Sequence, residues 1–173
     1  QIVASGSVMT GTSGNPGIKF IAANNTQLNL SYTGVAAEST ISLSEGWSDN
    51  EVLLFGSNPY RIINEAGGWS ILQGGGSAPT QSLRNVSGLK TVGIRATIRN
   101  NSSGKLEFRT NGSIDSTTTG YTSASTVSYS KIGSQSGVNS SNAYINEIII
   151  YPSDVSANIV AIEAEINSRY GIY

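Results

Sequence analysis

The sequence predicts an all-β fold, an antiparallel two-sheet sandwich closed by a single C-terminal helix. Three observations predict it. Apolar and polar residues alternate in short runs, separated by turn formers at roughly eight- to twelve-residue spacing, the rhythm of a sandwich or barrel. Ser, Thr, Asn and 20 Gly dominate the composition and only 12% of residues are charged, too few to clothe the outer faces of a helical bundle. The apolar period then switches from about 2 to about 3.6 residues in the last stretch of the chain.

A chain of 173 residues fits one domain and can bury a core without covalent staples. The net charge is -1 with Lys and Arg scattered, which excludes nucleic acid as a partner, because phosphate neutralisation needs a basic stripe. The absence of Cys rules out disulfides and thiolate metal sites and leaves the redox compartment open. No apolar run approaches the roughly 20 residues that span a bilayer, so no membrane insertion is expected. The chain opens on Gln1 rather than Met and is expected to be a processed product or a piece of something longer.

Residues 1–16, QIVASGSVMTGTSGNP, are small and Gly-rich and are expected to form an N-terminal arm or edge strand, with the sandwich domain over 17–173. In 17–32, Ile18 and Phe20 share one strand face and Leu28 and Leu30 another, so a hairpin turning at Asn24-Asn25 is expected. Residues up to Asn50 read as a polar link. Glu51–Ser57, EVLLFGS, is a nearly continuous apolar run, as in a strand buried on both faces. Tyr60–Asn64 and Trp69–Gln73 form a hairpin across Glu65–Gly68, followed by a flexible Gly74–Ser77 loop.

Lys90–Asn100 alternates cleanly, with Val92, Ile94, Ala96 and Ile98 on one face and Thr91, Arg95, Thr97 and Arg99 on the other. Asn101–Gly104 turns the chain, and Lys105–Thr110 returns with Leu106 and Phe108 inward. Asn111-Gly112 is the strongest short turn signal. Residues 113–130 read as exposed strand and loop, Tyr129–Gly133 as a short strand, and Tyr144–Tyr151, YINEIIIY, as a strand buried on both faces. A helix is expected over 156–170, with Ser156 as N-cap, Ile159, Ile162, Ile166 and Tyr170 on its apolar stripe, Val155 and Val160 adding to it, and Gly171 as the left-handed residue past its end.

Without His or Cys, nucleophilic triads and most transition-metal sites are excluded. A glycosidase would need two convergent carboxylates. Asp49 and Glu51 share a strand parity with no third carboxylate following, Glu163 and Glu165 lie on the helix without converging, and Glu107 stands singly. Glu147 interrupts the most hydrophobic strand; hydrogen bonds from backbone N–H groups, or an Arg at the sheet edge, account for it more simply than a sugar or metal does. The three Asp, at 49, 115 and 154, are far apart, so Asp49-Asn50-Glu51 reads as a solvated turn rather than a calcium loop, and Asp154 as a helix-dipole partner. No catalytic residue, metal ligand or cofactor is expected.

The run INEIIIYPSDVSANIVAIEAEINSRYGIY (residues 145–173) resembles the closing strand and helix of concanavalin A-like lectin/glucanase domains of the laminin-G-like kind. GNPGIKFIAANNTQLNL (residues 14–30) is similar to the opening strand pair of that family, and the Asn111-Gly112 turn before a Ser/Thr tract resembles another of its features. The resemblance implies a jelly-roll of two curved antiparallel sheets. Its Asn/Ser-rich, Cys-free texture looks most like domains of tailed-phage virion proteins and bacterial surface proteins, which implies a place on a virion surface or outside a cell.

The function this implies is a non-catalytic lectin-like module, a tail-fibre, receptor-binding or capsid-decoration domain attaching to cell-surface glycan. A glycan-active hydrolase domain or its carbohydrate-binding appendage, and a purely structural spacer, are the alternatives, since fold alone does not fix activity. Sugar binding needs flat aromatic platforms beside polar groups, and Trp47, Tyr60, Trp69 and Tyr121 are the candidates. Trp47 lies in the polar stretch SEGWSDN; Trp69 opens a strand, a position that equally suits the core. Weak sugar contacts gain by multivalency, so a homo-oligomer, a trimer by family analogy, is expected among other virion proteins.

Overall fold

A computed structural model of the chain describes residues 17–24, 27–33, 37–45, 51–56, 61–65, 68–72, 92–100, 102–118, 128–134 and 141–173, with backbone alone for 61–65 and 68–72. The strands are β1 (Ile18–Lys19), β2 (Leu28–Thr33), β3 (Ala37–Glu45), β4 (Glu51–Gly56), β5 (Arg61–Glu65), β6 (Gly68–Leu72), β7 (Gly93–Asn100), β8 (Lys105–Thr110), β9 (Ser113–Thr118), β10 (Ser128–Ile132) and β11 (Tyr144–Tyr151), followed by helix α1 (Ile159–Tyr170). They form a six-stranded sheet in the order β1-β11-β3-β7-β8-β9 and a five-stranded sheet in the order β2-β10-β4-β5-β6. Every strand pairing is antiparallel. The chain is an all-β sandwich with one C-terminal helix.

Two apolar layers follow from strand alternation. Between the sheets, Phe20, Leu53, Leu54, Tyr129 and Ala143 pack with Leu106 and Phe108 of β8 and Ile145 of β11. On the outer face of the six-stranded sheet, Ile41, Leu43, Ile94, Ala96 and Ile98 receive Val155, Ile159 and Ile166 from the helical end. β11 serves both layers: Ile148 and Ile150 turn toward the second sheet and Ile149 and Tyr151 toward the helix. The Ile triplet packs on both faces but is only half-buried, short of the full burial its sequence predicts.

The helix is also tied down by charge. Arg109 of β8 donates through Nε to Glu163 Oε2 at 3.0 Å and contacts Glu107 at 3.3 Å, and Lys105 reaches Glu107 at 3.0 Å. Glu163 is fully buried, so the pair bridges sheet and helix in a low-dielectric seam. Gly171 adopts φ 62° and its N–H bonds the Asn167 carbonyl, ending the helix as expected.

Four expectations are corrected. Residues 18–20 and 28–33 do not form a hairpin: β1 pairs with β11 and β2 with β10, in different sheets. The stretch read as a polar link contains β3, a central strand of the six-stranded sheet between β11 and β7. α1 starts at Ile159 with Asn158 at the N-cap, and Ser156 instead donates its N–H to Asp154 Oδ1 at 2.9 Å; Asp154 also accepts from Asn100 Nδ2 at 2.9 Å. Val160 points away from the sheet at 66% exposure. Glu147 pairs with Arg169 at 3.2 Å, an Arg that comes from the helix and not from the sheet edge. Residues 1–16 lie outside the described residues.

Candidate functional site

The inner face of the six-stranded sheet is polar along two of its central strands. On β3, Glu38, Thr40, Ser42 and Ser44 alternate with the outer-face Ile41 and Leu43; on β7, Arg95, Thr97 and Arg99 alternate with Ile94, Ala96 and Ile98. Register aligns them into rows across the strands: Ser42, Arg95 and Thr110 are neighbours on β3, β7 and β8, as are Glu38, Arg99 and Leu106. Burial of so many polar side chains costs free energy unless each finds a partner, so the face carries a specific polar arrangement rather than general packing.

One end of this face is closed by the second sheet. Tyr129 of β10 donates its hydroxyl to Glu38 Oε1, and its ring stacks on Tyr32 of β2 with centroids 5.7 Å apart and planes at 21°. Burial pushes the Glu38 carboxyl above the usual range, opposed by the Tyr129 hydrogen bond and by Arg99. Burial, with Glu38 nearby, pushes the Tyr32 hydroxyl up to about 12. These groups bolt the two layers together.

The opposite end is organised around Arg95, 5% exposed. Its Nη1 donates to the Ser44 carbonyl at 2.8 Å and to the Gly93 carbonyl at 3.1 Å. Gly93 sits close to both groups: a Cβ at that position would stand 3.2 Å from Arg95 Nη2 and 3.2 Å from Asn111 Oδ1. Burial pulls the Arg95 guanidinium down to about 10, with Asp115 of β9 acting the other way. Asp115 itself is raised by burial, opposed by a hydrogen bond from Thr110 and by Arg95 and Arg109. Beside Arg95 in register, Ser42 Oγ is buried with no hydrogen-bond partner among the described residues.

A guanidinium, several hydroxyls and a carboxylate gather on adjacent strands, with Asp115 the exposed member of the set. They do not form a hydrolytic pair. Glu38 and Asp115 neighbour Arg99 and Arg95, which are four residues of strand apart, about 13 Å at strand rise. Glycoside hydrolysis uses carboxyl groups roughly 5–9.5 Å apart. Among the described residues no group of three His, Cys, Asp or Glu is placed to hold a metal ion, and no helix is long and apolar enough to cross a membrane.

Of the aromatic residues the sequence singles out, Trp47, Tyr60 and Tyr121 lie outside the described residues, as do Asp49 and the Gly74–Ser77 loop. Trp69 is described by its backbone, paired with Asn64 in β6. The Arg95 row was not among the sequence candidates. The signal for it was present: Thr91, Arg95, Thr97 and Arg99 alternate with apolar residues, but a polar strand face ordinarily means water, and the neighbouring β3 that buries it was read as a link.

No protein-family model matches the chain, and no curated protein does. Solved structures do match in fold. The CBM40 carbohydrate-binding module of Ruminococcus gnavus IT-sialidase, bound to α2,3-sialyllactose, superposes with a TM-score of 0.60 at 13% identity, covering 80% of this chain and 98% of that one. NanB sialidase of Streptococcus pneumoniae matches with a TM-score of 0.55 at 11% identity, over 83% of this chain and 28% of that one. Botulinum neurotoxin type C, whose cell entry depends on two ganglioside molecules, matches with a TM-score of 0.56 at 11% identity. The chain thus spans about the whole of the isolated module but only 28% of the sialidase chain and 36% of the toxin chain. Together these show the fold: a two-sheet β-sandwich shared with these structures.

Proposed function

We propose that this chain is a non-catalytic glycan-binding module that takes an acidic, sialylated glycan of a cell surface at the Arg95 end of the six-stranded sheet, where Asp115 is exposed. The observation that carries the reading is the Arg95 end: a guanidinium fixed on the Ser44 and Gly93 carbonyls with the exposed Asp115 nearby, in a sandwich whose fold matches a complete carbohydrate-binding module. A guanidinium suits a carboxylate, and the Ser and Thr hydroxyls with Asp115 suit sugar hydroxyls. Trp47, two residues past Glu45 in the sequence, is proposed as the aromatic platform. The similarity of structures described with sialyllactose and gangliosides supports this ligand class.

The setting proposed is the outside of a virion or a cell, with several copies of the module acting together and a trimer as the favoured assembly. Near-neutral charge and Ser/Thr/Asn-rich strands support close association of copies without repulsion. A glycan array on the wild-type chain, Arg95→Gln and Trp47→Ala tests the binding reading. The expected result is signal on sialylated glycans that both substitutions weaken. Signal on neutral glycans alone, or none, contradicts it.

A further inference from the structure

The turn between β8 and β9 holds the chain's single Asn-Gly sequence, Asn111-Gly112. Asn111 is the one non-glycine residue at positive φ among the described residues, at 49°, and Gly112 follows at 81°, the paired left-handed geometry of a tight hairpin. The Asn111 side chain is part of the turn: Oδ1 accepts from the Ile94 N–H at 2.9 Å while the Asn111 N–H donates to the Ile94 carbonyl at 2.9 Å. Two cations flank it. Arg109 Nη2 donates to the Gly112 carbonyl at 2.9 Å, and Arg95 Nη2 and Asn111 Oδ1 both lie 3.2 Å from the position a Gly93 Cβ would take.

We propose that Asn111 is a site of spontaneous deamidation, gated by the C-terminal tail. Glycine is the one residue whose backbone nitrogen no side chain obstructs. The Gly112 nitrogen loses its proton to solvent base and attacks Asn111 Cγ, forming the N–Cγ bond. The Cγ–Nδ2 bond breaks, and ammonia leaves after taking a proton from water. Water then opens the cyclic imide at either carbonyl, giving aspartate or isoaspartate, with no change of oxidation state. The flanking guanidinium groups favour both the anionic nitrogen and the carboxylate product, because an opposite charge nearby stabilises the charged form. The aspartate product keeps an acceptor for the Ile94 N–H; the isoaspartate product lengthens the backbone and breaks the turn.

The gate is Tyr173. Its ring lies over Gly112, with the hydroxyl oxygen 3.0 Å and ring carbons 3.3 and 3.4 Å from where a Cβ would sit. Asn167 holds the tail in place: Oδ1 accepts from the N–H groups of Ile172 and Tyr173, each at 2.8 Å, and Nδ2 donates to the Tyr173 carbonyl. Attack on Cγ needs the Ile94 bond broken and the turn rotated, and the Tyr173 ring opposes that rotation.

The test is incubation of the folded chain in mildly alkaline buffer, with peptide mass mapping and isoaspartate detection over time, alongside Tyr173→Ala. The expected result is that Asn111 loses its amide before any other asparagine of the folded wild type, and several-fold faster in Tyr173→Ala. Other asparagines converting first in the folded wild type overturns the site, whatever the variant does. An equal Asn111 rate in folded wild type and folded Tyr173→Ala overturns the gate.

Discussion

Glu163 is fully buried on the helix and meets the Arg109 guanidinium from the sheet, with Glu107 on the far side of the same group. Removing Arg109 strands the buried Glu163 carboxylate, while Glu107 keeps Lys105, so Arg109→Met is expected to cost about 3–5 kcal/mol, whereas the double change Arg109→Met, Glu163→Leu recovers much of that, since a well-packed apolar pair often replaces a buried ion pair without loss. Urea unfolding of the single and double variants measures the difference. The same burial sets a pH dependence. Glu163 and Glu38 are both raised by desolvation, against their Arg and hydroxyl partners. A carboxyl whose folded pKa exceeds its unfolded value contributes stability that is fully present below the unfolded pKa and is lost as pH rises through the folded one. Melting temperature is therefore expected to rise as pH falls from neutral into the mildly acidic range, with Glu163→Gln flattening the rise. Asp154, held low despite burial by Ser156, Asn100 and Lys105, acts oppositely, its contribution being lost as pH falls through its depressed value.

At the scale of elements, α1 is attached through Ile159 and Ile166, both buried against β3 and β7, with Ile162 half-buried beside them. Ile166→Ala is expected to destabilise by about 2–5 kcal/mol through lost transfer energy and the cavity left behind. Val160→Ala, on the exposed face, is expected to stay within about 0.5 kcal/mol of wild type. Thermal or denaturant unfolding of the two variants reads the contrast. The helix was legible because its stripe recurs at helical spacing and Gly171 marks its end. β7, β8 and β11 were legible because each alternates cleanly or carries a continuous apolar run. β3 was not, although Ile41 and Leu43 alternate within AESTISLSE: its other face is Glu38, Thr40, Ser42 and Ser44, and a Ser/Thr/Glu row reads as loop until a second sheet is known to cover it. The β1–β2 hairpin failed for a related reason. Local alternation fixes which residues share a face, but which sheet a strand joins depends on partners more than a hundred residues away, Ile145 for Ile18.

The whole molecule is two layers, and a side-chain hydrogen bond from Tyr129 to Glu38 joins them at one end of the polar face. Tyr129, Tyr32, Glu38 and Arg99 close one end, and Tyr129→Phe, which leaves the buried Glu38 carboxylate short of a donor, is expected to cost about 1–3 kcal/mol in unfolding free energy. The Arg95 end carries the proposed binding row, whose alternation is legible in the sequence but whose burial is not, because a buried arginine and a solvated one look alike along a single strand. The most direct measurement is a calorimetric or NMR titration of the chain with α2,3-sialyllactose and, in parallel, lactose, on wild type and Arg95→Gln at matched folded fraction. Sialyllactose is expected to bind the wild type, lactose to bind far more weakly, and Arg95→Gln to lose about 1.5–3 kcal/mol of sialyllactose affinity, the worth of a hydrogen bond to a charged group. Equal binding of the two sugars, or sialyllactose affinity indifferent to Arg95→Gln, would contradict the account.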